Sequence, residues 1–435
     1  MNAPKNGART ILRGYAALFF ACGLMFVFEE RLVLGLISWA GAFAGLPPIP
    51  PTGPALWLGL AGSLMTVIAW LSYRLSQDPG QLVAWEALLI SKAVSSSLFL
   101  LFAWRARSGL FAASAAVDGF IFCHLVFLRR ACDAAPGIEP RPAAATRRGY
   151  EVWFARLNDA ATGRGLWVRY ELVGRKAGVE ASCAAVFFDP ESGSVVERRW
   201  AGPAQTARGT SVFRLGESVA APGVLRGSSD GVSWDLNWKA GRCAPVAIVP
   251  SWLRALGLSS SGYDDAAPDA KFSGQAELDG VKWTFSGAPG CVGHVWGARY
   301  GAGWWWAHAV FDADHSSQTV LELLSAPGPL GTRVTSACLW RAGRLHEATG
   351  PVALFRNRSR RDGDRWSFSA RFGSIRVEGD CVLGLAATLD YIGPDERRLV
   401  CRNSKVSRMR VTLADKARRT LATNAAAVEF VEPAR

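Results

Sequence analysis

The hydrophobic residues fall into two regions with different periodicity. Residues 1–130 hold four long apolar runs, each close to the length of about 20 residues that crosses a bilayer as a helix. The runs cover residues 11–28, 54–73, 81–104 and 109–128. We therefore predict a domain of four transmembrane helices over residues 1–130. Residues 131–148 are rich in Pro and Ala and lack an apolar period, which predicts a flexible linker.

The rest of the chain alternates between apolar and polar positions. In residues 232–239, Val232, Trp234 and Leu236 alternate with Ser233, Asp235 and Asn237, and residues 365–372 repeat the pattern. A period of two predicts half-buried strands, and recurrent Gly, Asp and Pro turns favour an all-β fold. The region contains too many strands for one small barrel, so we predict two consecutive antiparallel β-barrels, over residues 149–262 and 263–435.

A weak internal sequence repeat supports the division into two barrels. Trp153 and Arg156 are spaced like Trp296 and Arg299, and a second aromatic strand follows each pair. We interpret each Trp-x-x-Arg strand as the first strand of a barrel.

The densest cluster of candidate functional residues lies in residues 290–312. A Gly turn at Gly301 and Gly303 separates two short halves, so the stretch predicts a β-hairpin. Its indoles either line an aromatic cavity or belong to the core. The candidates in this stretch are His294, Trp296, Arg299, Tyr300, Trp304, Trp305, Trp306, His308 and Asp312.

The segments GYEVWF and GHVWGARYGAGWWWAHAVFD resemble the lipocalin-like superfamily of tocopherol cyclase and carotenoid 1,2-hydratase. Trp296, Gly297 and residues 304–306 carry most of the resemblance. It implies paired lipocalin-like β-barrels and an apolar isoprenoid or lipid ligand. The family pattern usually has an acidic residue or Asn near the position of His294, and the four helices are not part of it.

Three functions remain open. An isoprenoid cyclase or hydratase needs one acid and aromatic faces that stabilise a carbocation. His294 is the candidate acid, with Asp312 or Asp235 as the alternative. The candidate substrate-binding residues are Trp153, Arg156, Trp296, Arg299, Tyr300, Trp304, Trp306 and His308. A non-catalytic lipid carrier needs only an apolar cavity, and a structural or regulatory membrane protein needs barrels filled by their own side chains.

Four ionisable residues lie inside the predicted third and fourth helices. Antiparallel packing would place Lys92 beside Asp118 and Glu86 beside His124. In each pair the two residues lie equally far along the chain from the turn between the helices, and therefore at the same depth. The pairs either fix helix register or form a proton path, since charges inside a membrane need partners. The excess of Lys and Arg next to the first, second and fourth runs predicts that both termini, and with them the β region, lie in the cytoplasm.

The chain has a net charge of +13, but its basic residues are scattered singly along the strands. This distribution argues against nucleic acid as a partner. Nine cysteines occur without a CxxC motif or a His cluster, so we predict buried thiols, no metal site and no cofactor. The partners expected are therefore the membrane and an apolar small molecule or lipid.

Overall fold

The structure, a computed structural model, forms two compact units, residues 1–135 and 136–435, and each is described by itself. The residues described are 3–28, 35, 39, 42, 56–77, 82–107, 109–132, 136–141, 149–176, 178–205, 211–255, 258–311, 318–328, 331–415 and 418–434.

The first unit is helical. The described residues of each predicted apolar run lie in a helix: α1 (Ala3–Phe28), α2 (Leu56–Gln77), α3 (Leu82–Ala106) and α4 (Gly109–Cys132). Among the described residues, two stretches are long and apolar enough to cross a membrane, Ala84–Arg105 of α3 and Phe111–Arg129 of α4. The apolar part of α1, Thr10–Leu24, is shorter. The prediction of helices is confirmed, whereas two candidate spans are found where four were predicted.

A buried ion pair joins α3 to α4. Lys92 Nζ lies 2.9 Å from Asp118 Oδ1, and the Lys92 side chain is almost completely buried. The Ser95 hydroxyl donates a hydrogen bond to the other carboxylate oxygen of Asp118. The predicted pairing of Lys92 with Asp118 is therefore confirmed.

The second predicted pair is wrong. His124 contacts α1, where its Nδ1 lies 2.6 Å from the Tyr15 hydroxyl, and Glu86 is exposed on α3. Positions six residues apart on a helix point about 120° away from each other. The rotation that turns Lys92 toward α4 therefore turns Glu86 away from it.

The described part of the second unit contains two antiparallel sheets and two short helices, α5 (Ser251–Ala255) and α6 (Pro351–Arg356). The first sheet has eleven strands, which are all the strands before Gly297. They are β1 (Tyr150–Asn158), β2 (Gly165–Arg175), β3 (Gly178–Asp189), β4 (Ser194–Pro203), β5 (Phe213–Leu215), β6 (Ser218–Ala221), β7 (Val224–Ser229), β8 (Val232–Lys239), β9 (Val246–Ala247), β10 (Ser261–Leu278) and β11 (Val281–Gly297).

The second sheet has ten strands and begins at Trp304. Its strands are β12 (Trp304–Phe311), β13 (Thr319–Pro327), β14 (Arg333–Arg341), β15 (Arg344–Ala348), β16 (Arg358–Asp362), β17 (Arg365–Phe372), β18 (Ile375–Val382), β19 (Ala387–Ile392), β20 (Arg398–Ala414) and β21 (Arg418–Pro433).

Both sheets are rolled up but not closed. The first runs in the order β4-β3-β2-β1-β11-β10-β8-β7-β6-β5, with β9 paired to β10 beside this path. The second runs in the order β15-β14-β13-β12-β21-β20-β18-β17-β16, with β19 paired to β20. Among the described strands, the two end strands of each sheet are not hydrogen-bonded to each other. Rolling is shown by ring contacts between strands distant in this order, such as Tyr170 to Phe213 at 5.3 Å and Trp305 to Trp366 at 6.0 Å between centroids. The prediction of an antiparallel β fold is confirmed, with its strands in two sheets, and neither sheet closes into a barrel among the described strands.

The interior of each roll is filled by its own side chains. Trp153, Phe213 and Trp234 pack into one core inside the first roll, and Trp366, Phe368 and further apolar side chains do so inside the second. A ligand cavity inside a barrel, as the sequence interpretation expected, is therefore wrong.

The chain passes from one sheet to the other between Gly297 and Trp304. Strand β11 pairs with β1 and β10, whereas β12 pairs with β13 and β21, so residues 290–312 do not form the predicted hairpin. The two Trp-x-x-Arg segments do not begin two separate barrels. They lie on neighbouring strands of one sheet, where Trp153 is paired with His294 and Glu151 with Trp296. The expected boundary at residue 262 lies inside β10.

Residues 136–141 do not form a free tether. Ile138 is buried in the first core, and its carbonyl accepts a hydrogen bond of 2.8 Å from Trp153 Nε1. This part of the predicted linker belongs to the β unit.

Candidate functional site

The two rolls pack against each other through their outer faces. Alternation along β1 turns Trp153 and Ala155 into the first core and turns Tyr150, Val152 and Phe154 outward. On β12 the same alternation turns Trp304 and Trp306 outward and Trp305 inward. The outward side chains of both sheets meet in a second apolar layer, so these strands are buried on both faces.

A partly open pocket of about 160 Å³ lies in this layer. Its wall is mainly aromatic and aliphatic, with a few polar groups. The lining side chains include those of Tyr150, Trp167, Arg169, Tyr263, Tyr300, Trp304, Trp306, Ala326 and Glu429. An apolar protein cavity of roughly 150 Å³ is large enough to hold benzene. The pocket therefore accommodates at least one ring of an apolar ligand.

One polar group of the pocket is centred on Arg169. Its Nη2 donates to Glu171 Oε1 at 2.7 Å and to the Tyr300 hydroxyl at 2.6 Å. The Tyr300 hydroxyl in turn donates to Glu171. Burial raises the pKa of Tyr300 well above its usual value, so this phenol stays protonated. The arrangement holds the Arg169 guanidinium rigidly at the pocket wall.

A second ion pair supplies the carboxylate of the pocket. Glu429 Oε1 accepts hydrogen bonds from Lys405 Nζ at 2.7 Å and from Asn403 Nδ2 at 2.8 Å. Lys405 is fully buried and its ammonium group lies 4.9 Å from the centre of the Trp306 ring. Burial lowers the pKa of Lys405, and the attraction of Glu429 opposes that shift.

A pair of buried carboxyl groups lies directly behind the pocket wall. Tyr263 and Trp306 line the pocket, and the Tyr263 hydroxyl and Trp306 Nε1 both donate to Glu322 Oε1, the latter at 2.7 Å. Glu322 forms a further hydrogen-bonding contact with Asp265, and both side chains are fully buried. Burial raises the pKa of Asp265 well above its usual range and also raises that of Glu322.

These two carboxyl groups need one shared proton. Asp265 Oδ2 and Glu322 Oε2 have no hydrogen-bond donor among the described residues. Two ionised carboxylates in contact would repel each other in a buried site, whereas one proton between them satisfies both oxygens. The pair can therefore hold a proton at neutral pH.

Asp265, Cys291 and His308 bring three possible metal-ligand atoms within 4.8 Å of one another. The two nitrogens of His308 are already engaged: Arg156 donates to Nδ1, and Nε2 donates to the Pro268 carbonyl at 2.9 Å. Burial, together with the Arg156 charge, lowers the pKa of His308 well below its usual value. A neutral His308 with both nitrogens engaged and a guanidinium beside it does not fit a cation site.

His294, the predicted acid, lies inside one end of the first roll, away from the pocket. Its Nε2 contacts Glu151 Oε1 at 2.8 Å, and its Nδ1 contacts the Gly137 carbonyl at 2.9 Å. The ring stacks on Trp153 at 5.1 Å and lies beside Trp296 at 4.9 Å. The Arg141 guanidinium covers the Trp296 ring at 4.5 Å. Because of strand parity, Val295 faces the pocket while His294 and Trp296 face inward.

The remaining predicted site residues are divided among several places. Tyr300, Trp304 and Trp306 line the pocket. Arg156 and His308 are buried between the sheets, next to the carboxyl pair. Arg299 and Asp235 are exposed, and Asp235 pairs with Arg226 on the outside of β8. Asp312 lies outside the described residues.

The sequence interpretation missed the ionisable groups at the pocket. Glu322 stands in the apolar stretch TVLELLSAP of β13, and Asp265 lies in YDDAAPDA, which has the composition of a turn. A single acidic residue on a strand that is apolar on both faces was the available signal.

No family model matches the chain. An uncharacterised protein of Mycobacterium tuberculosis, found in two strains (MT0513 and Rv0493c), is 29% identical over 314 residues, which cover 68% of this chain and 92% of the relative. Among solved structures, kievitone hydratase from Nectria haematococca aligns with a TM-score of 0.43 at 12% identity, over 69% of this chain and 98% of that one. The protein CghA, in complex with Sch210972, aligns with a TM-score of 0.44 at 12% identity, over 66% and 89%.

Proposed function

We propose that this protein binds an apolar small molecule, of isoprenoid or lipid type, in the pocket between its two rolled sheets. The observation that supports this most directly is the pocket itself. It is lined by Tyr150, Tyr263, Tyr300, Trp304 and Trp306, yet it remains open after the interiors of both rolls are filled. Sites of this kind, mostly apolar with a few fixed polar groups, are typical of small-molecule binding.

We further propose that α1–α4 anchor the protein in the cytoplasmic membrane with the β unit in the cytoplasm. The two long apolar stretches and the buried Lys92–Asp118 pair support this proposal. The anchor would keep the pocket near a bilayer from which an apolar ligand partitions. Carbonate extraction of membranes tests the anchor, and a C-terminal fusion to green fluorescent protein or alkaline phosphatase tests its orientation.

Binding is tested by purifying the full chain and identifying co-extracted molecules by mass spectrometry. Ala326 lines the pocket and is only partly buried, so Ala326→Trp should fill the pocket without disturbing either core. We expect an apolar molecule with the unaltered chain and its loss from Ala326→Trp. Ala422→Trp, on an exposed position of β21, is the matched control and should retain the molecule. Equal recovery from all three proteins would refute the proposal.

A second candidate function is proton-initiated hydration or cyclisation of that ligand. The contact of Tyr263 with Glu322 favours it, because the shared proton lies one side chain away from the pocket. In this reaction the Tyr263 hydroxyl turns from Glu322 to an alkene carbon and gives it a proton, while the proton shared with Asp265 passes through Glu322 to the Tyr263 oxygen. A C–H bond forms, water or an internal nucleophile adds to the cation, and the proton released returns to the carboxyl pair.

Deuterium labelling distinguishes this enzyme from a carrier. The recovered ligand, incubated with the full chain in D₂O, should gain a carbon-bound deuterium if the reaction occurs. Glu322→Gln should abolish that gain, since an amide cannot supply the proton. A ligand recovered unlabelled and chemically unchanged would leave the protein as a carrier and exclude the reaction.

A further inference from the structure

Two hydrogen-bond donors in the pocket wall have no acceptor. Trp167 Nε1 and Arg169 Nε are both buried, and neither has a hydrogen-bond partner among the described residues. Both side chains line the pocket, where they are 3% and 6% exposed. A buried donor without a partner costs about 1–3 kcal/mol, so such groups in a native fold need an explanation.

The two donors are placed together by the strand that carries them. Trp167 and Arg169 are separated by one residue on β2, so both side chains leave the same face of the sheet. Arg169 is held by Glu171 and Tyr300 through its Nη2, which leaves its Nε free of that network. Lys405 lies 5.3 Å from the centre of the Trp167 ring and packs beside it.

We infer that this pair of donors recognises the carbonyl oxygen of an apolar ligand, and that Trp167 and Arg169 determine ligand specificity. The inference rests on the proposed binding function and adds the chemical class of the ligand, a ketone, ester or quinone. A carbonyl accepts two hydrogen bonds, one through each lone pair, which matches two N–H donors.

The charges around the pocket favour a neutral acceptor over a carboxylate. Arg169 is paired with Glu171 at 2.7 Å, and Lys405 with Glu429 at 2.7 Å, while the partly exposed Arg199 makes a second contact with Glu171 at 3.2 Å. An anionic ligand would enter beside Glu429, which lines the same pocket, and the two negative charges would repel each other in a site shielded from water. A carbonyl group satisfies the donors without adding a charge.

A water molecule is the competing partner. A second cavity of about 10 Å³ also touches Trp167 and Arg169, together with Glu171 and Ser182, and is large enough for about one water. A water there would satisfy the donors in the absence of any ligand. A ligand carbonyl and a bound water predict different effects when one donor is deleted.

The test uses three naphthalenes of closely similar shape and isothermal titration calorimetry on the full chain. They are 2-acetylnaphthalene, 2-isopropenylnaphthalene, in which C=CH₂ replaces C=O, and 2-naphthoate. We expect the ketone to bind roughly tenfold more tightly than the hydrocarbon, because one or two buried hydrogen bonds separate them. We expect 2-naphthoate to bind more weakly than the ketone.

Trp167→Phe deletes one donor and keeps an aromatic ring. It should reduce the preference for the ketone over the hydrocarbon by roughly threefold to tenfold. It should also leave the unfolding midpoint of the ligand-free chain unchanged or higher, because an unpartnered donor has been removed. Trp305→Phe, inside the second roll, is the matched control and should keep the preference. Arg169→Lys keeps the charge but lacks Nε, and should reduce the preference as Trp167→Phe does.

Each failure has a distinct meaning. Equal affinity for the ketone and the hydrocarbon would overturn the inference and leave the binding function intact. Tighter binding of 2-naphthoate would overturn the choice of a neutral acceptor. A lower unfolding midpoint in Trp167→Phe with an unchanged preference would assign the donor to water and refute the inference. Binding of none of the three would refute the binding function itself.

Discussion

The shared proton between Asp265 and Glu322 predicts an unusual dependence of stability on pH. In the unfolded chain the two carboxyls have pKa values of about 3.9 and 4.3, so neither holds a proton above about pH 5. In the folded chain burial raises both pKa values, so the pair keeps one proton. Stability from this pair is fully present below the unfolded pKa values and is lost as the pH rises toward the folded pKa.

Glu322→Gln removes this dependence. The Gln amide oxygen can accept from Tyr263 and Trp306, and its NH₂ group can donate to Asp265 Oδ2, where the proton had been. One proton corresponds to about 1.4 kcal/mol of unfolding free energy per pH unit. The unfolding free energy of Glu322→Gln minus that of the unaltered chain should therefore rise with pH above pH 5, by at most about 2.7 kcal/mol at pH 7.

The assay is urea unfolding of the full chain, followed by Trp fluorescence at pH 5, 6, 7 and 8. Taking the difference between variants cancels the titration of groups that they share, including His308, whose lowered pKa works in the opposite direction below pH 6.5. Asp235→Asn, at an exposed carboxylate of β8, is the control. The double variant with Asp265→Asn and Glu322→Gln carries no carboxyl at this position. If its curve runs parallel to that of the unaltered chain, the pair holds no proton and the reasoning is wrong.

Three further predictions test other parts of the structure. Lys92→Met should destabilise the helical unit by up to about 3–5 kcal/mol in thermal unfolding followed by circular dichroism, because the mostly buried Asp118 carboxylate loses its cationic partner and keeps only the Ser95 hydroxyl. Adding Asp118→Leu should restore most of that loss, and failure to do so would show that the pair is not buried. His294→Phe should leave the affinity for 2-acetylnaphthalene unchanged but speed trypsin cleavage at Arg141, since the imidazole holds this segment; weaker binding would place His294 at the pocket after all. Trp304→Ala should weaken binding of 2-acetylnaphthalene by roughly tenfold or more in calorimetry, as loss of a buried aromatic anchor does, and unchanged affinity would contradict the assignment of the pocket.

Strand positions could be predicted from the sequence because alternation is a local property. Residues 232–239 and 365–372, chosen for their period of two, are β8 and β17 with the expected inward faces. The Lys92–Asp118 contact was also predictable, because helical geometry fixes depth within a pair of antiparallel helices. In both cases the rule connects residues within one element or between neighbours in the chain.

Strand pairing could not be predicted in the same way. The turn at Gly301 and Gly303 has the composition of a hairpin turn, but β11 pairs with β1, more than a hundred residues earlier in the chain. The error also shifted the candidate site, because a hairpin would have turned Trp296 and Trp304 into one cavity. The faces of β11 are set instead by β1, whose Trp153 and Glu151 hold His294 inside the first roll.

Burial on both faces explains why the pocket and its polar groups lie between the sheets. A strand such as β1, YEVWFARLN, commits Trp153 to the core of one roll and Phe154 to contact with the other roll. Each roll is filled by its own side chains. Their outer faces belong to different sheets, so no strand pairing holds the two faces together across the gap. Gly301 lies at this gap and a Cβ there would meet open space, whereas a Cβ on Gly262 would meet the Trp296 ring and one on Gly303 the Val431 carbonyl. At Gly303, where φ is 141°, another residue would be strained as well as bulky. An opening bordered by large rings and fixed ionisable groups is what a binding site requires, whereas an interface serving stability alone would gain free energy by closing it.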